Sequence, residues 1–342
     1  MPPIVLRAAA LSLAALACVS LAHAADYRAP RNAFGQPDLQ GTWTNASLTG
    51  VERPDHFKTL VIPQADAVAF EKRRAVMRAA QDTPTDPNAP APPSGADVGG
   101  YNAVWTDPGT ALGRINGEVR TSWLIEPVNG KLPYSAAGRK AYETQLAFVR
   151  GTFDGPESRP LGERCILGFG STAGPPMMNV LYNNNYQFQQ TRDAMVIVVE
   201  MNHDARLIPI VDRSQARVSL QKWMGDSIGW WDGDTLVVET TNFNPQESLR
   251  PYFGASLFLS PDARVTERFT RTSAKQILYE FSVEDPKVFT QVWRAQMAMN
   301  ATQGPVYEYA CHEGNYALPG ILGGARLAEK EGKAVEAVDL AE

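Results

Sequence analysis

The chain has 342 residues, of which 44% are hydrophobic and 20% charged, with a formal net charge of −5: an ordinary folded composition, long enough for a large core. No basic run and no basic helix stripe is present, so nucleic acid is not an expected partner.

The first residues, MPPIVLRAAALSLAALACVSLAHAAD, join a short region containing Arg7 to an apolar run and to Ala22-His23-Ala24 ahead of Ala25. That pattern predicts a secretory signal peptide cleaved after Ala24, and hence a periplasmic or secreted protein. The run is too short to anchor the chain, and no later segment offers the ~20 apolar residues of a membrane span. Lipidation at Cys18 is the alternative, in a context that lacks the favoured Leu three residues earlier. Cys18 leaves with the leader, and Cys165 and Cys311 remain. An even pair in an exported chain reads as one disulfide, with free thiols or thiolate ligands as the competing view. Neither cysteine belongs to a CxxC pair, so a zinc site built on them is not expected.

Residues 25–160 read as an N-terminal strand, two helices and a loop-rich half. Gly41-Thr42-Trp43-Thr44 is a short strand after a Pro/Asp turn. PQADAVAFEKRRAVMRAAQ carries apolar residues at Ala65, Val68, Ala69, Val76 and Met77, the spacing of an amphipathic helix. The Pro/Gly/Ala/Asp tract DTPTDPNAPAPPSGADVGG, which can neither pack nor bond regularly, comes next as a loop or linker. SAAGRKAYETQLAFVRG predicts a second helix, with Ser135 as its N-cap and Gly151 past its end.

Residues 161–326 read differently. NVLYNNNYQFQQT, AMVIVVEM, RLIPIV, DSIGWW, DTLVVETT, ARVTERFTR, KQILYEFSVED, KVFTQVWRAQMAM and VYEYAC alternate like strands and are separated by short turn signals. The absence of intervening helices argues for an antiparallel meander rather than βαβ units. Such a meander must hide its edges, so a mainly β protein with an up-and-down barrel of about eight strands is expected. Residues 327–342 read as a tail.

Three motifs could carry chemistry. In GDSIGWWDGDTLVVET, a two-residue Asp232-Gly233 loop would set Trp230 opposite Thr235 and Asp226 opposite Glu239. Opposed carboxylates destabilise a strand pair, so a cation must bridge them or one must hold a proton, as in an acid/base pair. Alternatively Asp226 caps the turn at Gly225 and never joins the ladder. In EMNHDAR, a tight turn would place Glu200 opposite Arg206 as an ion pair. There His203 beside Asp204 has the make-up of a general base, or of a solvated structural turn. In YEYACHEGNY, His312 and Glu313 come directly after Cys311, so a disulfide would bring them beside Glu163 and Arg164; a capped chain end is the plainer alternative. Tyr182, Tyr186, Trp230, Trp231, Tyr307 and Tyr309 could line a small-molecule site, although aromatics are also good strand residues. His203, Asp204, His312 and Glu313 have no HExxH or HxH spacing, and no Walker loop, dinucleotide fingerprint or GxSxG elbow occurs. Neither a metal nor an organic cofactor is predicted.

PDLQGTW, RTSWLIEP, ERC with a subsequent GPPMM, YNNNYQ, EMNHDAR, GDSIGWWDGDTLVVETTNF, VTERFTR, VEDP and YEYACHEGNY together resemble a family of exported bacterial proteins to which no activity attaches. The resemblance runs from about residue 35 to 326. It implies a lipocalin- or calycin-like barrel, and acidic positions matching Asp226 and Glu239. It also matches Glu200, His203, Asp204, Arg206, Cys165, Cys311, His312 and Glu313 outright, which favours one shared site or one polar network that defines the fold.

The leading expectation is an exported enzyme doing cofactor-independent acid–base chemistry (isomerisation, elimination/hydration or hydrolysis) on a small, partly apolar molecule. His203 oriented by Asp204, or Glu200, would be the base. His312 or one of Asp226 and Glu239 would be the acid, with Arg206 stabilising an oxyanion. A lipocalin-like periplasmic binder of an apolar ligand is the alternative, and a structural envelope protein a third reading.

Overall fold

A computed structural model describes residues 27–81, 88, 90, 106–212, 220–246 and 248–333. The expected leader with Cys18, most of the Pro-rich tract and the end of the chain lie outside the described residues. In chain order the elements of the N-terminal half are β1 (Gly41–Thr44), β2 (Val61–Ile62), α1 (Gln64–Gln81), β3 (Arg114–Ile115), β4 (Glu118–Arg120), β5 (Leu124–Glu126) and α2 (Ala136–Gly151). Next come β6 (Asn185–Gln190), β7 (Ala194–Val199), β8 (Ala205–Pro209), β9 (Asp226–Asp232) and β10 (Thr235–Thr241). The last are β11 (Leu249–Tyr252), β12 (Ala255–Phe258), β13 (Arg264–Ser273), β14 (Gln276–Glu284), β15 (Trp293–Ala301) and α3 (Ala317–Lys330).

The main sheet runs β8-β7-β6-β1-β15-β14-β13-β10-β9, every neighbouring pair antiparallel. It curls into a nearly closed barrel, close to the expected eight strands, with β1 inserted as the ninth between the first and last members of the meander. Nine antiparallel strands leave the two edge strands parallel to each other. Closure is therefore sparse: β8 and β9 meet through the parallel bridge Ile210–Gly229 and the hydrogen bond from Val211 N to Gly229 O (2.9 Å). Gly229 fits closely there: a Cβ would come within 3.1 Å of side-chain methyls of both Ile208 and Ile210, which would have to shift by a few tenths of an ångström.

Period-two alternation sorts the side chains. Tyr186 and Phe188 of β6, Ile197 and Val199 of β7, Ile208 of β8, Leu236 and Val238 of β10, and Phe269, Tyr279 and Phe281 of β13 and β14 fill the interior, all buried. Two charged residues share those inward positions. Arg206, two residues before Ile208, and Glu267, between Val265 and Phe269, form a bidentate ion pair (Nη1–Oε1 2.9 Å, Nη2–Oε2 2.5 Å) with side chains 2% and 0% exposed. The Tyr279 hydroxyl donates to Glu267 Oε1 (2.7 Å) and accepts from Met177 N (2.9 Å). Burial alone would pull the Arg206 guanidinium down, but the Glu267 carboxylate more than offsets this and raises it.

The second helix starts as expected: Ser135 accepts from Gly138 N (2.9 Å). Gly138 packs so tightly on Val288 that a Cβ would lie 2.0 Å from its carbonyl oxygen. Three expectations are corrected. The stripe read on α1 faces outward: Val68, Val76 and Met77 are 51–64% exposed, and the helix instead seats Ala67 and Phe70 on Leu48, Leu112 and Val119. VYEYAC is not a strand, because β14 holds one edge of β15 and both β5 and β1 hold the other. The segment Ala317–Lys330, read as the end of the barrel and the start of a tail, forms α3.

Removing one partner of a fully buried pair strands a charge, so Glu267→Gln or Arg206→Met alone should destabilise the protein by about 3–5 kcal/mol. The double variant Arg206→Met/Glu267→Leu should recover most of that loss. Urea unfolding of the three proteins measures it, and a double variant no better than either single one would contradict the assignment.

Candidate functional site

The hairpin of β9 and β10 turns at Gly233-Asp234, not at Asp232-Gly233, with Gly233 at φ +61°. A positive φ at the first loop residue suits glycine. The register therefore differs from the expected one by two positions in the partner: Asp226 pairs with Thr241 and Glu239 with Ile228. The two carboxylates share a face but are diagonal rather than opposed. Each has its own cation, Lys222 for Asp226 (2.8 Å) and Arg264 for Glu239 (3.2 Å). Their face also points away from the interior, which Leu236, Val238 and Thr240 occupy. The two tryptophans diverge in the same way: Trp231 pairs with Leu236 and packs on the core, whereas Trp230 pairs with Val237 on the outer face. This hairpin supplies two strands of the barrel wall.

The expected Glu200–Arg206 pair does not form either, since Arg206 points inward to Glu267. Glu200 ends β7 and is buried, accepting from Asn185 Nδ2 (2.6 Å) and from the backbone N of Tyr307 (3.1 Å). Asn202 and His203 come next with φ of 56° and 42°, which turn the chain sharply into β8. His203 is exposed, and its Nδ1 lies 3.2 Å from the Tyr309 carbonyl oxygen. A carbonyl can only accept, so Nδ1 is the nitrogen that carries a proton in this contact, and any lone pair free for chemistry is on Nε2. His203 is thus oriented by Tyr309 rather than by Asp204. Asp204 accepts a long bond from Gly168 N (3.4 Å) and one from the Asn202 side chain. Burial pushes its carboxyl from 3.8 up to about 6, against the lowering effects of Gly168, His203 and Asn202.

Glu200 and His203 both hold the strap that leads from β15 to α3. The Tyr182 and Tyr309 hydroxyls share a hydrogen bond, and burial raises both above the ordinary phenol range. The strap continues into the Cys165–Cys311 disulfide, which joins positions 146 residues apart with Cα atoms 5.7 Å from each other. Asn315 Nδ2 adds a contact to Cys165 Sγ at 3.3 Å. Glu163, two residues from Cys165, is committed to Arg159 through two bonds of 2.8 and 2.9 Å, and Arg159 also donates to the carbonyls of Val149 and Thr152 at the end of α2. The disulfide brings the two segments together as expected; His312 and Glu313 are exposed, whereas Glu163 is buried on Arg159.

Among the aromatic residues expected to line a site, Tyr182 and Tyr309 meet beside His203. Tyr186 is a core residue, 0% exposed and bonded to Asn45 (3.0 Å), and the Tyr307 ring is 67% exposed. Among the described residues, no group of three or more His, Cys, Asp or Glu could hold a metal ion, and no helix is long and apolar enough to cross a membrane. Glu267 is the partner that the motifs did not single out, although its place between Val265 and Phe269 marked it as inward-facing. No family model, no curated protein and no solved structure matches this chain.

Two outcomes are expected. A carboxyl held near 6 when folded, against 3.8, binds its proton more tightly in the folded state. Its contribution to stability is therefore present below about pH 4 and is lost as pH rises through about 6. Urea midpoints of wild type should fall across that window relative to Asp204→Asn, and parallel pH profiles would refute the assignment. The Cys165→Ser/Cys311→Ser variant should lose up to about 5 kcal/mol, the chain-entropy figure for so long a loop. Amide exchange at Tyr307 should then accelerate; unchanged protection would mean that Glu200 alone fixes the strap.

Proposed function

We propose that the protein is an exported acid–base catalyst working without an organic cofactor, with its reacting groups at one end of the barrel around His203, Asp204, Tyr182 and Tyr309. The observation that carries this reading is the pairing of two neighbouring groups suited to proton transfer near neutral pH. His203 presents Nε2 while Nδ1 is tied to the Tyr309 carbonyl, and burial raises the Asp204 carboxyl to about 6. His203 Nε2 takes a proton from a small, partly apolar substrate, and protonated Asp204 returns one; the reverse assignment is equivalent. Isomerisation, elimination/hydration and hydrolysis all fit this proton traffic. Arg206 has no part in it, because its guanidinium is locked to Glu267 inside the barrel. Carriage of an apolar ligand within the barrel finds little support in an interior filled by Tyr186, Phe188, Phe269 and Tyr279. Export is supported by the leader pattern and by a disulfide that needs an oxidising compartment. The motif set leaves the family of exported bacterial proteins as the grouping we propose.

The mature chain should be screened against esters, lactones, unsaturated acids and isomerisable carbonyl compounds beside His203→Gln and Asp204→Asn. The expected result is turnover that falls about 100-fold or more in each variant, with a wild-type profile bending near pH 6. Equal turnover by all three proteins would remove these residues from the chemistry. Saturable binding of an apolar compound without turnover would move the site to carriage.

A further inference from the structure

Away from the barrel-end cluster, residues of the segments 53–60 and 128–131 line an open cavity of about 550 Å³. It shares no residue with the His203–Asp204 cluster. Its walls are cross-tied: Arg53 N donates to Gly130 O (2.9 Å), Lys131 Nζ to Arg53 O (2.8 Å), and Leu132 N to Glu52 Oε1 (2.7 Å). Lys58 Nζ closes its own turn on Asp55 O (2.7 Å). The cavity is therefore formed before any ligand arrives, which lowers the ordering cost of binding.

Its charge is unbalanced. Arg53, Lys58 and Lys131 line it with a single carboxylate, Asp55. Asp55 is bound to Lys131 (2.8 Å), whose hydrogen bond holds it below the usual carboxylate range. That pair cancels and leaves Arg53 and Lys58.

Arg53 is the decisive residue. It is only 8% exposed, its Nε is fully buried and unmatched, and among the described residues its two Nη groups, which are not fully buried, make no hydrogen bond and no ion pair. The burial is built in. Gly130, at φ +72°, brings bare backbone against the arginine, where a Cβ would lie 2.7 Å from Arg53 Cβ and 3.1 Å from its Cζ and Nε. Buried guanidinium groups are ordinarily matched, so an unmatched one lining a preformed cavity asks for a ligand. The planar fork suits a carboxylate or phosphate oxygen pair. Phe57, Leu60 and Val128 supply apolar wall beside it.

We infer that this cavity is a binding site for a small organic oxyanion, with a carboxylate or phosphate head on Arg53 and an apolar body against Phe57, Leu60 and Val128. Calorimetric titration of the full mature chain with phenyl phosphate, benzoate, inorganic phosphate and neutral benzyl alcohol tests it. Saturable binding of phenyl phosphate, benzoate or both is expected, and which of them binds identifies the head. Affinity should fall tenfold or more in Arg53→Gln and a few-fold in Lys58→Gln, and weaken with added salt. Lys58 is exposed, so its variant keeps the test valid if Arg53→Gln fails to fold. No saturable binding in wild type, equal affinity in the variants, or equal binding of benzyl alcohol would overturn the site. Inorganic phosphate binding as tightly as phenyl phosphate would overturn the role of the apolar wall.

Discussion

The Arg206–Glu267 pair is the constraint on which the barrel turns. Nine antiparallel strands can close only with β8 and β9 parallel, and that seam carries little backbone hydrogen bonding. Arg206 stands on β8, on one side of the seam. Glu267 stands on β13, reached from the other side through β9 and β10. The pair therefore ties the β8 edge across the interior to β13, the third strand in from the β9 edge, where low polarity strengthens its attraction and makes the loss of either partner costly. Tyr279 satisfies a further lone pair of the carboxylate and passes the connection to the backbone of Met177. An apolar pair could match its stability, but two forks in fixed register also specify which strands meet. Gly229 serves the same seam sterically, by letting Ile208 and Ile210 close in.

A second tie governs the barrel end. The chain leaving β15 cannot extend the sheet, so its backbone groups need other partners. Glu200 supplies one to Tyr307, His203 orients against Tyr309, and the disulfide anchors the strap at Cys311. Much of the EMNHDAR motif is thus engaged in holding the strap. Asp204 is not: it is buried with only a long backbone contact and one side-chain amide, which is why its proton is held so firmly. The same strap that stabilises this end supplies the carbonyl that fixes the His203 tautomer, so scaffold and candidate chemistry cannot be separated by position alone.

Most strands were legible because inward and outward positions alternate through β6, β7, β13 and β14, and the disulfide because two cysteines remained; β11 and β12 were not read, and VYEYAC was read as a strand it does not form. The register of β9 and β10 was harder to read. Asp232-Gly233 and Gly233-Asp234 are both good two-residue loops, and choosing the wrong one displaces every cross-strand pair while leaving the faces intact. That preserved the shared face of Asp226 and Glu239 but created an opposition that does not exist. Glu267 could have been found from the same alternation, since a carboxylate in phase with Val265 and Phe269 requires a buried cation, and Arg206 in phase with Ile208 is one. The outward stripe of α1 was misread because helical spacing fixes a face but not which side of the protein that face meets.

The filled interior has a consequence for where chemistry can sit. In an open cup, ligand contacts come from inward-facing strand residues; here those positions hold Phe188, Phe269, Tyr279 and a neutralised ion pair. Function is displaced to the segments that the barrel presents, as is common where a rigid sheet carries variable loops. Unfinished polar bonding occurs on both sides of that division. Inside, Arg206 and Glu267 form a bidentate pair that still leaves the Arg206 Nε unmatched. At the barrel end Asp204 has a long backbone contact, and in the N-terminal half the buried Arg53 Nε is unmatched. A buried donor without a partner is a cost to the fold, and at a preformed cavity that cost is offset when a ligand supplies the acceptor.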